Sequence, residues 1–301
     1  MSTMKAFQFD DVQSGLHLRT VSRPQPAHGQ VIIQIKAAGL CHSDCFILQD
    51  DQYNMIMKRP IVLGHEVAGT IIELGPGVSD YEVGDKVVVG IPTHPVAQDS
   101  FIKAIGLGYD GAAVANDSIA TAYHAVITEG HVSPNSRVAI VGLGGLGLSA
   151  IQIAAIHGAR IYAVDIDETK FPLARELGAI GCASGLDKFE DIVFDTVVDF
   201  AGAGITTAAA VNAVKPCGRV VVVGLAAKQM NLDTHSVITR NITLQGSIGS
   251  SLEELKEVLR HIADGRLSPI LEEISFDSIP QGLERLAQGK VTGRLFTDPT
   301  A

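Results

Sequence analysis

The chain has 301 residues, of which 46% are hydrophobic and 19% are charged, so it can bury a large core and need not be disordered. Its 33 acidic and 23 basic residues give a net charge of −10, which argues against binding to nucleic acid or to an anionic membrane. No apolar stretch approaches the roughly 20 residues of a membrane helix, and the four cysteines do not resemble a disulfide framework. We therefore expect a cytoplasmic protein with reduced thiols.

The first hundred residues are predicted to form short strands separated by glycine-rich turns. Strand-like runs lie at 31–36, 61–63, 70–73 and 86–89. Short strands in this arrangement are typical of a small β-barrel or sandwich.

The pattern changes near residue 118, where β-branched runs begin to alternate with helix-length amphipathic segments. The runs lie at 138–141, 161–164, 196–198, 220–223 and 242–244, and helices are predicted over 146–157, 169–177 and 206–214. Such alternation predicts βαβ units and a doubly wound parallel sheet. A further helix is predicted over 252–263. The fold class is therefore α/β, with a second, β-rich domain.

A glycine-rich turn follows the first strand of this second region. Its sequence is Gly142-Leu143-Gly144-Gly145-Leu146-Gly147, which matches G-x-G-x-x-G and opens an apolar helix. The glycines permit a tight turn, a close approach of the backbone to a pyrophosphate and close packing of helix on sheet. The start of the helix then offers free N–H groups to the phosphates. We expect a dinucleotide site; the alternative is a glycine turn without a ligand.

An acidic residue stands at the end of the next strand. Asp165 lies 18 residues after Gly147, close to the usual spacing between this motif and a ribose-binding carboxylate. Its charge would repel a 2′-phosphate, and no basic residue directly follows it. The sequence therefore favours NAD over NADP.

Potential zinc ligands lie in the β-rich part, in the segments Gly39-Leu-Cys41-His42-Ser43-Asp44 and Gly64-His65-Glu66. Further segments follow in order: Val83-Gly-Asp-Lys-Val87, Thr121-Ala-Tyr-His-Ala125, Val198-Asp-Phe-Ala-Gly202 and Gly293-Arg294. Along nearly its whole length, this series resembles the zinc-containing medium-chain alcohol dehydrogenases.

The resemblance implies a catalytic zinc held by Cys41, His65 and Asp117, with a fourth position left for water or an alcohol oxygen. Glu66 matches a carboxylate that approaches the metal during ligand exchange, and Asp44 would orient His65. Ser43 matches the hydroxyl that passes a proton outward. The alternative role for Asp117 is to cap the helix that follows it.

The resemblance also implies contacts to the coenzyme. His42 and Arg294 would lie near the pyrophosphate, and Thr121, Leu146 and Val223 would touch the nicotinamide. His42 could alternatively be a solvated loop histidine with no such contact.

The sequence departs from the family in two places. Four closely spaced cysteines bind a structural zinc in many members, but the span 90–110 contains no cysteine, so we expect one zinc only. The span from Gly111 to Asp117 is also compressed, because only five residues separate Gly111 from Asp117.

We expect a GroES-like catalytic domain over residues 1–117 and 249–301, and a Rossmann NAD-binding domain over 118–248. The expected function is a zinc-dependent alcohol dehydrogenase or carbonyl reductase, forming a homodimer or homotetramer and acting on a small alcohol, aldehyde or ketone. One alternative is a zinc-free reductase of the same superfamily that acts on an activated double bond. Another is a degenerate nucleotide-binding protein without turnover.

Overall fold

A computed structural model describes residues 2–50, 58–90, 101–103 and 107–300, which form two compact units. The first unit contains the described residues up to Gly90, those from 101 to Asn116, and those from Leu271 onwards. The second unit contains Asp117–Ile270. In the part of the chain that is described, no helix combines the length and the apolarity needed to cross a membrane.

The first unit is built mainly from two sheets. The strands are β1 (Thr3–Phe9), β2 (Leu16–Ser22), β3 (Val31–Leu40), β4 (Ile61–Val62), β5 (Glu66–Leu74), β6 (Lys86–Val89), β7 (Phe101–Lys103), and, near the end of the chain, β14 (Leu271–Glu273) and β15 (Arg294–Thr297). One sheet has the order β2-β1-β4 and the other the order β14-β15-β3-β5-β6-β7. Helices α1 (His42–Gln49), α2 (Tyr109–Val114) and α9 (Ile279–Ala287) complete the unit.

The pairing of β3 with β5 positions the residues that matter most in this unit. The two strands are antiparallel, and their register aligns Gly39 with Glu66. The end of β3 therefore meets the beginning of β5, which brings together two motifs that are far apart in sequence. Gly39 is required here because a Cβ at this position would lie 2.1 Å from Glu66 Oε2.

The second unit contains a parallel sheet of six strands. They are β8 (Arg137–Val141), β9 (Arg160–Val164), β10 (Ala179–Ala183), β11 (Phe194–Asp199), β12 (Val214–Val222) and β13 (Thr243–Gly246), in the order β10-β9-β8-β11-β12-β13. Its helices are α3 (Ala120–Tyr123), α4 (Gly145–Ile156), α5 (Phe171–Glu176), α6 (Ile205–Ala213), α7 (Thr234–Thr239) and α8 (Leu252–Ala263). The strand order reverses beside β8, which is the position where such sheets bind nucleotides. The predicted α/β class with a parallel sheet is confirmed.

The helix predicted over 169–177 and the domain placement of residues 249–270 can be compared with the structure. The helix predicted over 169–177 begins as a 3₁₀ turn at Glu168–Lys170 and becomes an α-helix at Phe171, where Pro172 suits the first turn. Helix α8 lies in the second unit, although we placed residues 249–301 in the first domain. Its Glu254 bonds to His124 of the same unit, which explains this membership. The domain bounds themselves stay a prediction.

Candidate metal and coenzyme site

Cys41 is held at the junction between β3 and α1. Its backbone N–H donates to Asp44 Oδ2 over 3.1 Å, so the carboxylate of the first helical turn satisfies a donor at the helix start. Both Cys41 and Asp44 are buried. The Cys41 thiol is therefore presented from a rigid turn rather than from a loop.

His65 immediately precedes β5, and a neighbour lies at each of its ring nitrogens. Nε2 is 3.2 Å from the Ser43 hydroxyl, and Nδ1 is 3.5 Å from Asp44 Oδ1. The His65 carbonyl also accepts a hydrogen bond from the Asn116 side-chain amide over 2.5 Å. The structure thus brings Ser43, Asp44 and His65 together, and the orienting role assigned to Asp44 stays a prediction.

Asp117 follows Asn116 along one continuous helical segment. Its carboxylate, the Cys41 thiol and the His65 ring offer donor atoms that all lie within 4.8 Å of one another. Sulfur, imidazole nitrogen and carboxylate oxygen are the ligand types of zinc, and three protein ligands are the number found in catalytic sites, so these residues fit a zinc ion. Asp117 lies within the helical turn Ala115–Ile119 and not at a helix start, so the alternative role as a cap is wrong.

Glu66 and Arg294 form a buried ion pair beside Cys41. Arg294 Nη2 is 2.7 Å from Glu66 Oε1, and Nε is 3.1 Å from the same oxygen. The guanidinium also lies 3.4 Å from Cys41 Sγ. Arg294 therefore bonds within the first unit to two residues of the zinc motifs, and its expected contact with the pyrophosphate stays a prediction.

His42 is the first residue of α1, so it does not lie in a loop. Partial burial lowers the pKa of His42, and the positive charge of Arg294 lowers this pKa further. The expected contact of His42 with the pyrophosphate stays a prediction.

The glycine-rich turn of the second unit has the geometry that its sequence predicts. Gly142 has φ +90°, a conformation that favours glycine, and a Cβ on Gly147 would lie 1.9 Å from the Gly142 carbonyl oxygen. Helix α4 begins at Gly145, within the glycine-rich segment. Leu146 is partly exposed on its first turn.

Asp165 directly follows β9 and forms a hydrogen bond to this turn. Its Oδ2 accepts from the Leu143 N–H over 2.6 Å and lies 3.2 Å from Lys170 Nζ, and its Oδ1 accepts from the Asp167 N–H over 2.9 Å. Lys170 was missed by sequence reasoning, which looked only at the residue directly after Asp165. The available signal was a lysine five positions further on, at the start of the next helix.

The remaining predicted residues lie in the second unit. Thr121 is buried, and its hydroxyl donates to Asp117 Oδ1 over 3.1 Å. Val223 is partly exposed and directly follows β12.

Most of the span 90–110 lies outside the described residues, so the expected lack of a structural zinc stays a prediction.

Comparisons with known proteins agree with this geometry. The profile "Alcohol dehydrogenase GroES-like domain" matches residues 27–128, and the profile "Zinc-binding dehydrogenase" matches residues 145–264. "Alcohol dehydrogenase 2" of Caenorhabditis elegans is 30% identical over 348 aligned positions, which cover 99% of this chain and 97% of that protein. An alcohol dehydrogenase of Geobacillus stearothermophilus is 29% identical over 336 positions, with 97% of this chain and 98% of that protein covered.

The solved acetophenone reductase of Geotrichum candidum, in complex with NAD, superposes with a TM-score of 0.89 at 28% identity, with 99% of this chain and 98% of that chain covered. Because the alignment to the Geobacillus protein spans 336 positions and this chain has 301 residues, at least 35 positions of that alignment have no counterpart here. Identity at this level over almost the whole chain shows common descent. The protein belongs to the zinc-type medium-chain alcohol dehydrogenase family.

Proposed function

We propose that this protein is a zinc-dependent alcohol dehydrogenase or carbonyl reductase that transfers a hydride between a small alcohol and NAD(H). The observation that carries the proposal is the convergence of donor atoms from Cys41, His65 and Asp117 within 4.8 Å, in a chain of this family. When bound, zinc supplies the Lewis-acid chemistry that favours loss of a proton from an alcohol or polarises a carbonyl.

The residues around the ligands prepare the site for proton transfer. The Ser43 hydroxyl lies 3.2 Å from Nε2 of His65, one of the proposed zinc ligands, which supports a role for Ser43 in proton transfer. Ser43 Oγ would accept the proton of the alcohol and pass its own proton outward. Asp44 would hold the other side of the His65 ring and fix its orientation.

NAD supplies the hydride acceptor, and the second unit supplies the groups that bind it. The Gly142–Gly147 turn and the start of α4 would bind the pyrophosphate. Asp165 would accept hydrogen bonds from the adenosine ribose, with Lys170 beside it. The NAD-bound acetophenone reductase supports this assignment, because it shares 28% of its residues with this chain over almost the full length.

The substrate class is a small alcohol, aldehyde or ketone, as the names of the relatives suggest. We also propose assembly as a homodimer or homotetramer, supported by the partly exposed edge strand β13 of the six-stranded sheet. A cytoplasmic location remains a prediction from the sequence.

Metal analysis together with a substrate panel tests the proposal. We expect about one zinc per purified chain and NADH formation with at least one alcohol. Asp117→Ala should lose both zinc and turnover, whereas Asp110→Ala, a change of the same type in α2, should retain both. Zinc-free protein that reduces an activated double bond would support the alternative reductase. Protein that binds NADH but turns over no alcohol, aldehyde or ketone would support the nucleotide-binding alternative.

A further inference from the structure

Asp199 is a fully buried carboxylate at the carboxyl end of β11, within the segment Val198-Asp-Phe-Ala-Gly202. Its Oδ1 accepts from the N–H groups of Ala201 over 3.0 Å and Gly202 over 2.9 Å. Its Oδ2 accepts from the hydroxyls of Thr206 over 2.8 Å and Thr207 over 2.7 Å. One carboxylate thus fixes the turn after β11 and the first residues of α6.

The turn held by Asp199 packs against the pyrophosphate turn. A Cβ on Gly142 would lie 2.9 Å from the Ala201 nitrogen, so the two backbones touch with no room for a side chain. The Phe200 N–H donates to the Val141 carbonyl over 2.8 Å, directly before Gly142. A shift of the Ala201 backbone therefore has to move the first glycine of the pyrophosphate turn.

The same turn also packs against the turn after β12, where Val223 lies. A Cβ on Gly202 would lie 1.8 Å from the Gly224 carbonyl oxygen. The Val223 and Gly224 N–H groups both donate to the Asp199 backbone carbonyl, over 2.9 and 3.1 Å. Position 199 therefore contacts the turn after β12 with its backbone and the turn after β11 with its side chain.

We propose that Asp199 is a positioning residue for the coenzyme, and that it sets the spacing between the pyrophosphate turn and the nicotinamide side of the site. The inference rests on the proposed NAD site. Because the Asp199 side chain has no exposed surface, it acts through backbone atoms and touches no coenzyme atom. Close-packed backbones transmit small shifts, so loss of the carboxylate changes the distance between the two turns.

The test compares three variants in their binding of NADH and of AMP, which contains only the adenosine end of the coenzyme. Asp199→Ala removes all four acceptor contacts, and we expect it to weaken NADH binding at least about tenfold while AMP binding changes less than about threefold. Asp199→Asn keeps the oxygen that accepts from Ala201 and Gly202 and should restore most of the NADH affinity. Zinc content should match wild type in both variants.

Thr196→Val is the matched control. It removes a buried hydroxyl from the same strand, three residues before Asp199, where Thr196 donates to the Gly130 carbonyl over 2.9 Å. We expect it to lower stability without changing the ratio of NADH to AMP affinity. If Asp199→Ala fails to fold, Thr206→Val gives the milder test, because it removes one donor and retains the carboxylate; NADH binding should then weaken about threefold.

Two results would overturn the inference: unchanged NADH affinity in folded Asp199→Ala or, if that variant does not fold, in Thr206→Val, and an equal loss of NADH and AMP affinity. Wild-type protein that binds neither NADH nor AMP would instead refute the proposed function, so the two failures can be told apart.

Discussion

Arg294 Nη2 lies 2.7 Å from Glu66 Oε1, and neither side chain is more than 4% exposed. A buried ion pair contributes little net stability, but loss of one partner leaves the other charge buried without its counter-ion. We therefore expect Arg294→Met to lower the free energy of unfolding by about 3–5 kcal/mol, measured by urea denaturation.

The control for Arg294→Met is Arg285→Met, which breaks the exposed pair with Glu272. Its cost should be at most about 1 kcal/mol, because water screens exposed pairs. Similar losses in the two variants would show that burial of the Arg294 pair has no energetic role.

A second prediction concerns pH and the pair formed by His124 and Glu254 in the second unit. His124 Nδ1 lies 2.9 Å from Glu254 Oε1, and Glu129 Oε1 lies 3.5 Å from His124 Nε2. The hydrogen bond that the His124 ring donates to the Glu254 carboxylate raises the pKa of His124. Hydrogen bonds from His124, Ser251 and Thr128 outweigh the effect of burial and lower the pKa of Glu254 to about 2.

The contribution of this pair to stability should therefore be largest between the two unfolded-state pKa values, 4.5 for the carboxyl and 6.5 for the imidazole. It should fade as the pH rises through the raised pKa of His124, and also as the pH falls from 4.5 towards 2. The measurement is the difference in melting temperature between wild type and His124→Gln at pH values below 4.5, between 4.5 and 6.5, and above 6.5. The exposed His235→Gln should show no such maximum, and a flat difference for His124→Gln would contradict the prediction.

The third prediction concerns coenzyme choice. Asp165 accepts a hydrogen bond from the Leu143 N–H and forms an ion pair with Lys170. We therefore expect Asp165→Ala to raise the KM for NAD and to reduce the preference for NAD over NADP. It also frees the lysine charge, which then attracts a 2′-phosphate. Steady-state kinetics with both coenzymes measure the effect. Asp167→Ala, which changes a neighbouring carboxylate, should leave the preference intact, and an unaltered preference in Asp165→Ala would exclude the ribose role.

The fourth prediction concerns Ser43. If its hydroxyl carries the substrate proton, Ser43→Ala should lower kcat by about 10²-fold while zinc content and NADH affinity stay at wild-type values. Ser43→Thr keeps a hydroxyl at this position and should recover part of the rate. A loss of zinc in Ser43→Ala would show instead that the hydroxyl supports His65.

Much of the site was predictable because its requirements are local. A pyrophosphate turn needs glycines at fixed offsets between a strand and a helix, and Gly142 and Gly147 satisfy these requirements within six residues. The ligand types at Cys41 and His65 are also visible in their motifs. Helix α8 was predicted with its observed bounds because its apolar positions repeat with the helical period.

The remaining features depend on which distant segments pack together, and short-range sequence patterns do not encode this. The β3–β5 register brings Cys41 and His65 to one end of a strand pair, and chain packing joins His124 to Glu254 across 130 residues. Likewise, Asp199 was visible in the sequence only as one residue of the segment 198–202. Its four hydrogen-bond donors became apparent only in the folded structure. By itself, the sequence determined the chemical groups and the class of fold, since local spacing and composition dictate both. Only the tertiary structure decided the partners of Arg294, Asp199 and Asp165, because a buried polar group must be satisfied by whatever donors the packed chain brings to it.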